Sequence, residues 1–431
     1  MTKELDRRLA DATVARGGLL SRRRLMSGGL ALGGAVAAGS MGMIETAQAA
    51  PALPDWAKVA GLPVRGYGLP AEQEAHVKRA VLQFYKELAP EYSFSGTPLQ
   101  HLRGTITPSG LHFEVHHGGR PELDPATHKL MIHGLVERPL KFDLASLERY
   151  PMVSRVHFIE CSGNSFFNAL FPEPMQAGCD VLHGLVSNSE WSGIPLSILM
   201  DEAGVKPDGR WVIATGDDGP SLGRSIPMEK VMGDGMLALY QNGERLRPEQ
   251  GYPMRLLLPG YEGNMHIKWV TSLWVTDAPA HTKDESGEYT DLRADGKTDQ
   301  FSFPMDVKSV ITHPSATMSM SGPGLYEISG LAWSGRGRVA RVEVSADGGG
   351  SWAEAELEPP IHNLAMTRFA LPWRWDGSPV ELRSRAADDT GAAQPTRTVW
   401  KQRYAPSNYN HNNAIQAWSV TAEGVVENVY T

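Results

Sequence analysis

The chain has 431 residues, a formal net charge of −8 and two cysteines. That length accommodates two domains with substantial cores. The mild acidity, with no dense basic run beyond the leader, argues against a nucleic-acid partner, and without a Cys-x-x-Cys-His motif the chain is expected to hold no c-type haem of its own.

In chain order, residues 1–49 read as a twin-arginine signal peptide, outside the fold. Ser21-Arg22-Arg23-Arg24-Leu25-Met26 is followed by a Gly/Ala/Leu-rich run to about Met43 and an A-x-A site at Ala47-Gln48-Ala49. The expected destination is the periplasm, with no membrane span once the signal is removed; a retained amino-terminal anchor is the lesser alternative. Residues 50–98 form an extension. Within it Ala71 to Tyr85 carries Val77, Val81, Phe84 and Tyr85 at three-and-four spacing between Pro70 and Pro90, which predicts an amphipathic helix. Residues 99–300 alternate short strands (Lys129 to Ile132, Trp211 to Ala214, Arg255 to Leu258) with short helices (Leu196 to Ala203), an α+β texture. No Gly-x-Gly-x-x-Gly follows a strand, so a dinucleotide fold is not expected. The stretch from Pro279 to Gln300 reads as a long polar loop, of the sort that often carries function. From 301 to 404 the pattern turns all-β and predicts an immunoglobulin-like sandwich. Residues 405–431, rich in Asn and with an isolated Trp418, read as an interaction arm that packs on a neighbour.

The chemistry concentrates in Val156-His157-Phe158-Ile159-Glu160-Cys161-Ser162-Gly163-Asn164. An apolar strand ends in a cysteine and a tight turn, which presents the sulfur at the rim of a sheet. A thiolate there is a nucleophile, a redox group or a soft metal ligand, whereas an inert buried Cys is the plain alternative. A disulfide from Cys161 to Cys179 would close a short loop in an oxidising compartment, and is incompatible with metal ligation by Cys161.

Glu160-Cys161-Ser162-Gly163-Asn164 resembles the Cys-x-Gly-Asn motif of the sulfite oxidase family of molybdenum enzymes. In family order the chain also carries Thr107 to His117, Glu190-Trp191-Ser192-Gly193, Ser225-Ile226-Pro227, Asn242-Gly243-Glu244, Gly251 to Arg255, Pro259 to Trp269, and Ser384-Arg385-Ala386 with Gln394-Pro395. Within the family, Ser329 to Gly337 and His411 to Trp418 look most like the branch of sulfane dehydrogenase molybdenum subunits, which serve periplasmic thiosulfate oxidation. The resemblance implies a molybdopterin-binding catalytic domain followed by an immunoglobulin-like dimerisation domain, with a molybdenum-molybdopterin cofactor and Cys161 as a metal ligand. It further implies Glu160 or Asn164 as supports of that ligand, and His116, His117, Ser225, Arg255, His266 and Lys268 as contacts to the pterin and its phosphate. Tyr289 resembles the active-site tyrosine, and Arg385 the arginine that the second domain sends into the substrate pocket.

The departures from the family pattern fall on cations. Val115 stands where sulfite oxidases carry a substrate arginine, Ser165-Phe166 where Arg-Arg usually follows the motif, and Met265 where an arginine precedes the pterin-contacting histidine. A sulfite dianion would lose charge-assisted partners worth roughly 1.5–3 kcal/mol each. The resemblance therefore implies oxidation of the sulfane sulfur on a carrier-protein cysteine persulfide, with electrons leaving to a c-type cytochrome subunit and the chain working as a homodimer. The rivals are a periplasmic sulfite dehydrogenase, which Arg385 favours, and a non-catalytic scaffold of a cytochrome complex. A related reductase is disfavoured by the C-terminal β domain.

Overall fold

The structure, a computed structural model, describes residues 9–23, 55–58, 60–61, 63–83, 87, 89 and 91–430. The apolar leader run and the expected cleavage site lie outside the described residues. Among the described residues no helix is long and apolar enough to cross a membrane.

The N-terminal domain is built on two five-stranded sheets that share one core. One runs Gly223–Pro227, Trp211–Gly216, Val270–Thr276, Leu130–Gly134, Leu140–Phe142. The other runs Glu244–Arg245, Met236–Gln241, Val186–Pro195, Val153–Glu160, with Arg255–Leu257 paired to Met236–Gln241. Alternation puts Leu130, Ile132, Val212, Ala214, Leu237 and Leu239 into that core. Helix Leu196–Ala203 adds Leu196, Leu199, Met200 and Ala203 at helical spacing. It ends at Gly204, whose φ of +69° forms the left-handed cap.

Within the expected helix over 71–85, the described residues form instead a three-residue 3-10 turn, Glu72–Glu74, and a strand, Ala80–Leu82, while Phe84 and Tyr85 lie outside the described residues. That strand pairs with Ser93–Gly96, which pairs with Glu114–His116. Ala80 and Leu82 are half-buried and Val81 is exposed, the period of two that an edge strand follows. The polar stretch 279–300 folds into a capped turn of helix, Lys283–Ser286, and a hairpin of Thr290–Leu292 with Thr298–Gln300.

The C-terminal domain is the expected two-layer sandwich. One layer holds Lys308–His313, Gly324–Trp333 and Thr367–Trp375; the other holds Val339–Ser345, Val380–Asp388, Ala417–Val420 and Val426–Val429. Val310, Ile328 and Phe369 meet Val342, Leu382 and Trp418 in one core.

Two expectations about the ends need correction. Residues 9–23 are part of the fold: Thr13–Ala15 and Leu19–Leu20 form a hairpin that pairs with Thr367–Trp375, and Leu19 and Leu20 are buried. The 405–431 stretch is packed inside this chain. Its last two strands complete the second layer, the Trp418 indole donates to Ile311 O at 2.9 Å, and Asn408, Asn410, His411, Asn412 and Asn413 are buried. Buried amides need partners, and these find backbone carbonyls: Asn412 donates to Ser165 O and Asn413 to Val307 O.

Candidate active site

Strand Val153–Glu160 delivers Cys161 to a turn closed by the Asn164 amide donating to Cys161 O at 2.9 Å. The base of that turn is rigid. The Asn164 amide group donates to Glu160 Oε1 at 2.9 Å, and Lys308 Nζ reaches the same oxygen at 3.2 Å. The Trp333 indole donates to Glu160 Oε2 at 2.6 Å. Glu160 and Asn164 thus fix the turn, and Glu160 ties it to the C-terminal domain. Both cysteines are free thiols, and the Cys179 thiol lies 3.8 Å from Ile311 O, so the two do not form a disulfide.

Cys161 lines a cavity enclosing about 730 Å³ of open space, mouth included. Its walls bring together most of the residues singled out in the sequence: His116, His117, Arg255, His266, Lys268 and Tyr289. Tyr289 Oη lies 3.1 Å from His117 Nε2, with Glu288 3.9 Å from the same nitrogen. Lys268 Nζ lies 3.0 Å from both Val115 O and His116 Nδ1, while His116 Nε2 lies 2.7 Å from Glu114. Arg255 is buried, donating to Gln250 and to His266 O at 3.2 Å. His266 accepts from the Leu258 amide at Nδ1, which leaves Nε2–H for Tyr261 O.

Burial sets the charges here. Desolvation lowers Lys268 to about 7, with Arg255 nearby adding to the effect, and lowers Arg255 to about 9. An anion in the cavity would favour the charged form of both. Burial lifts the Cys161 thiol to about 12 against a backbone hydrogen bond from Gly163, and the carboxylates of Glu262, Glu160 and Glu288 push the same way.

Two expected residues lie elsewhere. Ser225 gives its hydroxyl to buried Glu285 at 2.9 Å and accepts from the Ala280 amide, so it braces the 280–285 segment and does not line the cavity. Arg385 stands on strand Val380–Asp388, paired with Glu343 at 2.8 Å and stacked on Trp352 at 4.2 Å. A cross-strand ion pair on the sandwich accounts for it without the pocket.

Residues not foreseen complete the site. Tyr409, from the tail, packs against Gly163, where a Cβ would meet its ring at 3.6 Å. Buried Arg224 lies 4.8 Å over the Tyr289 ring, with its guanidinium 3.0 Å from Glu262 and 3.7 Å from Glu285. His411 stands 3.5 Å from Glu262 and 3.8 Å from Asp291, and its amide donates to Ser162 O. The signal available in sequence was the charge and aromatic content of 409–411, which lies far along the chain from Cys161.

The chemistry of the walls fits a molybdopterin. Cys161 is the soft donor in the cavity wall, and among the described residues no three His, Cys, Asp or Glu converge as a metal site, so a metal held beside Cys161 would draw further donors from the group that carries it. Buried polar atoms without partners belong to residues that line the cavity: His112 Nε2, Arg255 Nε and Asn264 Oδ1. Such atoms call for a ligand rich in donors and acceptors. Gly263 backs onto Cys161, where a Cβ would come within 3.1 Å of its Cα.

Comparison with known proteins agrees with this geometry. Residues 117–283 match the oxidoreductase molybdopterin binding domain, and residues 300–418 the Mo-co oxidoreductase dimerisation domain. Mouse mitochondrial sulfite oxidase is 29% identical over 342 residues, covering 73% of this chain and 62% of that protein. An NADH nitrate reductase of Cichorium intybus is 28% identical over 360 residues, covering 73% of this chain and 38% of that protein. The chain therefore spans 38% to 62% of the length of these curated relatives. The crystal structure of the sulfane dehydrogenase SoxCD from Paracoccus pantotrophus matches with a TM-score of 0.85 and 46% identity, over 88% of this chain and 97% of that one.

Proposed function

This chain belongs to the sulfite oxidase family of molybdenum oxidoreductases, and from that premise we propose that it is the molybdenum subunit of a periplasmic sulfane dehydrogenase. It oxidises the sulfane sulfur of a carrier-protein cysteine persulfide and passes electrons to a c-type cytochrome subunit, working as a dimer through its C-terminal domain. When bound, the molybdenum cofactor supplies oxygen-atom transfer and takes up two electrons. Cys161 holds the metal as a thiolate, a state that metal binding enforces on a thiol otherwise pushed up by burial. Lys268 and Arg255 would hold the phosphate, with His116 behind Lys268 and His266 behind Arg255, and His112 and Asn264 would meet the polar edge of the pterin. Tyr289 keeps a proton at Oη beside His117, and partly exposed His117 connects it towards Glu288 and solvent.

The observation that carries the substrate reading is the charge around Cys161. Glu262, Glu160 and Glu288 push the thiol towards its neutral form, and Phe166 and Val115 share its hydrophobic cluster. The nearby cations are engaged by carboxylates: Arg224 by Glu262 and Glu285, His411 by Glu262, and Lys308 by Glu160. A free sulfite dianion meets carboxylates there, whereas a persulfide on a peptide arm brings an apolar sulfur chain to an apolar rim.

The test is steady-state reduction of a c-type cytochrome with a persulfidated carrier protein or with sulfite. Two absent charge-assisted contacts predict a kcat/KM for the carrier roughly 100-fold or more above that for sulfite. The reverse preference would identify a sulfite dehydrogenase instead.

A further inference from the structure

Thr13-Val14-Ala15-Arg16-Gly17-Gly18-Leu19-Leu20 is a hairpin sequence, two short runs around a Gly-Gly turn. Gly17 and Gly18 adopt φ of +73° and +85°, and the runs pair antiparallel. Gly18 O accepts from the Arg374 amide at 2.8 Å, and Gly17 O from the Trp373 indole at 2.6 Å. The Arg16 amide donates to Ser351 Oγ at 3.0 Å. Leu19 enters the sandwich core, while Leu9, Ala12 and Leu20 pack with Leu325. The fit leaves no slack: a Cβ on Gly18 would lie 1.9 Å from Arg374 O, and one on Gly17 would lie 2.2 Å from Ala346 O. Arg22, first of the arginine run, pairs with Glu356 at 3.4 Å.

The hairpin covers an otherwise open edge. On that side of strand Thr367–Trp375, Glu356–Glu358 pairs with residues 368–370, and Leu19 pairs at Trp373. Taking residues 9–20 away bares the second half of the strand, a row of unpaired N–H and C=O groups beside a trough lined by Ala346, Asp347, Arg374 and Glu381. Trp373 belongs to one layer of the sandwich, whereas Ala346 follows a strand of the other, so the arm fits only when the two layers have closed on each other.

We propose that this edge is a strand-acceptor site whose occupant is the chain's own residues 9–20, a latch that holds Arg22, the start of the arginine run, against the C-terminal domain once that domain has folded. The proposal rests on the reading of residues 1–49 as a leader: docking ties display of the export signal to a finished sandwich, and removal of the leader opens the edge.

Amide hydrogen exchange tests it in the full-length protein, wild type and Gly18→Val, and in the processed protein isolated after export. The Arg374 amide is expected to exchange at least tenfold faster in Gly18→Val and in the processed protein than in the full chain. Amides in the first half of the strand, residues 367–370, should keep their rates, which separates loss of the latch from general destabilisation. A synthetic peptide of residues 9–23 added to the processed protein should restore slow exchange at Arg374, and the same peptide with Gly18→Val should not. Equal rates at Arg374 in full-length wild type and Gly18→Val would overturn the latch. Mass measurement of the exported protein judges the other premise: a chain that keeps residues 9–23 removes the leader reading, while the Gly18→Val comparison still decides the acceptor site.

Discussion

At the scale of single residues the site separates groups that grip from groups that act. Tyr289 is buried, with Oη 3.1 Å from His117 and Arg224 over its ring, and its phenol is held well above its usual range by burial and by Glu288 and Cys161. Tyr289→Phe removes that hydrogen bond and leaves the ring in place. It should lower kcat by roughly 10- to 100-fold with molybdenum content unchanged and a stability loss of about 1 kcal/mol, read from turnover, metal analysis and melting. Arg385→Ala should leave kcat/KM within about twofold of wild type, because its partners are Glu343 and Trp352, on the sandwich and outside the cavity wall. His411 supplies the pH dependence. Burial disfavours its charged form, yet Glu262 and Asp291 outweigh that and raise it to about 9. A raised histidine stabilises the fold fully below its unfolded pKa, near 6.5, and the contribution fades as pH climbs through about 9. Up to about 3 kcal/mol is at stake, so the melting temperature should fall between pH 7 and pH 10, and His411→Gln should flatten that slope. Cys161, Tyr289, Lys268 and the histidines were legible in sequence because their motifs are local. Arg224, Tyr409 and His411 were not, because only tertiary packing brings 224, 262, 285, 291 and 411 together. Ser225 and Arg385 show the converse: motif position placed them near the cofactor and substrate, and a buried carboxylate and a cross-strand partner hold them elsewhere.

At the scale of elements, strand Val153–Glu160 and its turn couple the two domains. Glu160 collects Asn164, Lys308 and Trp333 in a site where both it and Lys308 are buried. Breaking such a pair strands a buried charge, so Glu160→Gln should cost about 3–5 kcal/mol in unfolding free energy. It should also loosen the cofactor, seen as lower molybdenum occupancy at equal expression. Strands with clean alternation and the helix Leu196–Ala203 could be read from sequence, since their periods are set by burial on one face. The segment 71–85 could not: its three-and-four spacing mimics a helix, while pairing of Ala80–Leu82 with Ser93–Gly96 draws the described part of it into a sheet. The polar stretch 279–300 held its capping box, Thr282 with Glu285, in plain view, and it folds there as that motif directs.

At the scale of the whole molecule, the two ends of the chain are integral where sequence texture made them peripheral. Asn-rich composition resembles a solvated arm, yet each buried Asn here has partners that only the folded chain supplies. Deleting residues 405–431 should therefore abolish cooperative unfolding of the C-terminal domain, because it removes two strands and Trp418 from the core; loss of one such side chain alone costs about 3–5 kcal/mol. A truncated protein that melts as wild type would contradict this. The two domains jointly position Cys161, through Lys308 and Trp333 on Glu160, for the role of metal ligand that we propose for it. The most direct measurement is metal content and cytochrome-linked turnover of properly matured wild type and Cys161→Ser with a persulfidated carrier. Wild type should hold one molybdenum per chain, and Cys161→Ser should lose turnover with the fold intact by melting; matured wild type without molybdenum, or Cys161→Ser with undiminished turnover, would rule out that role for Cys161.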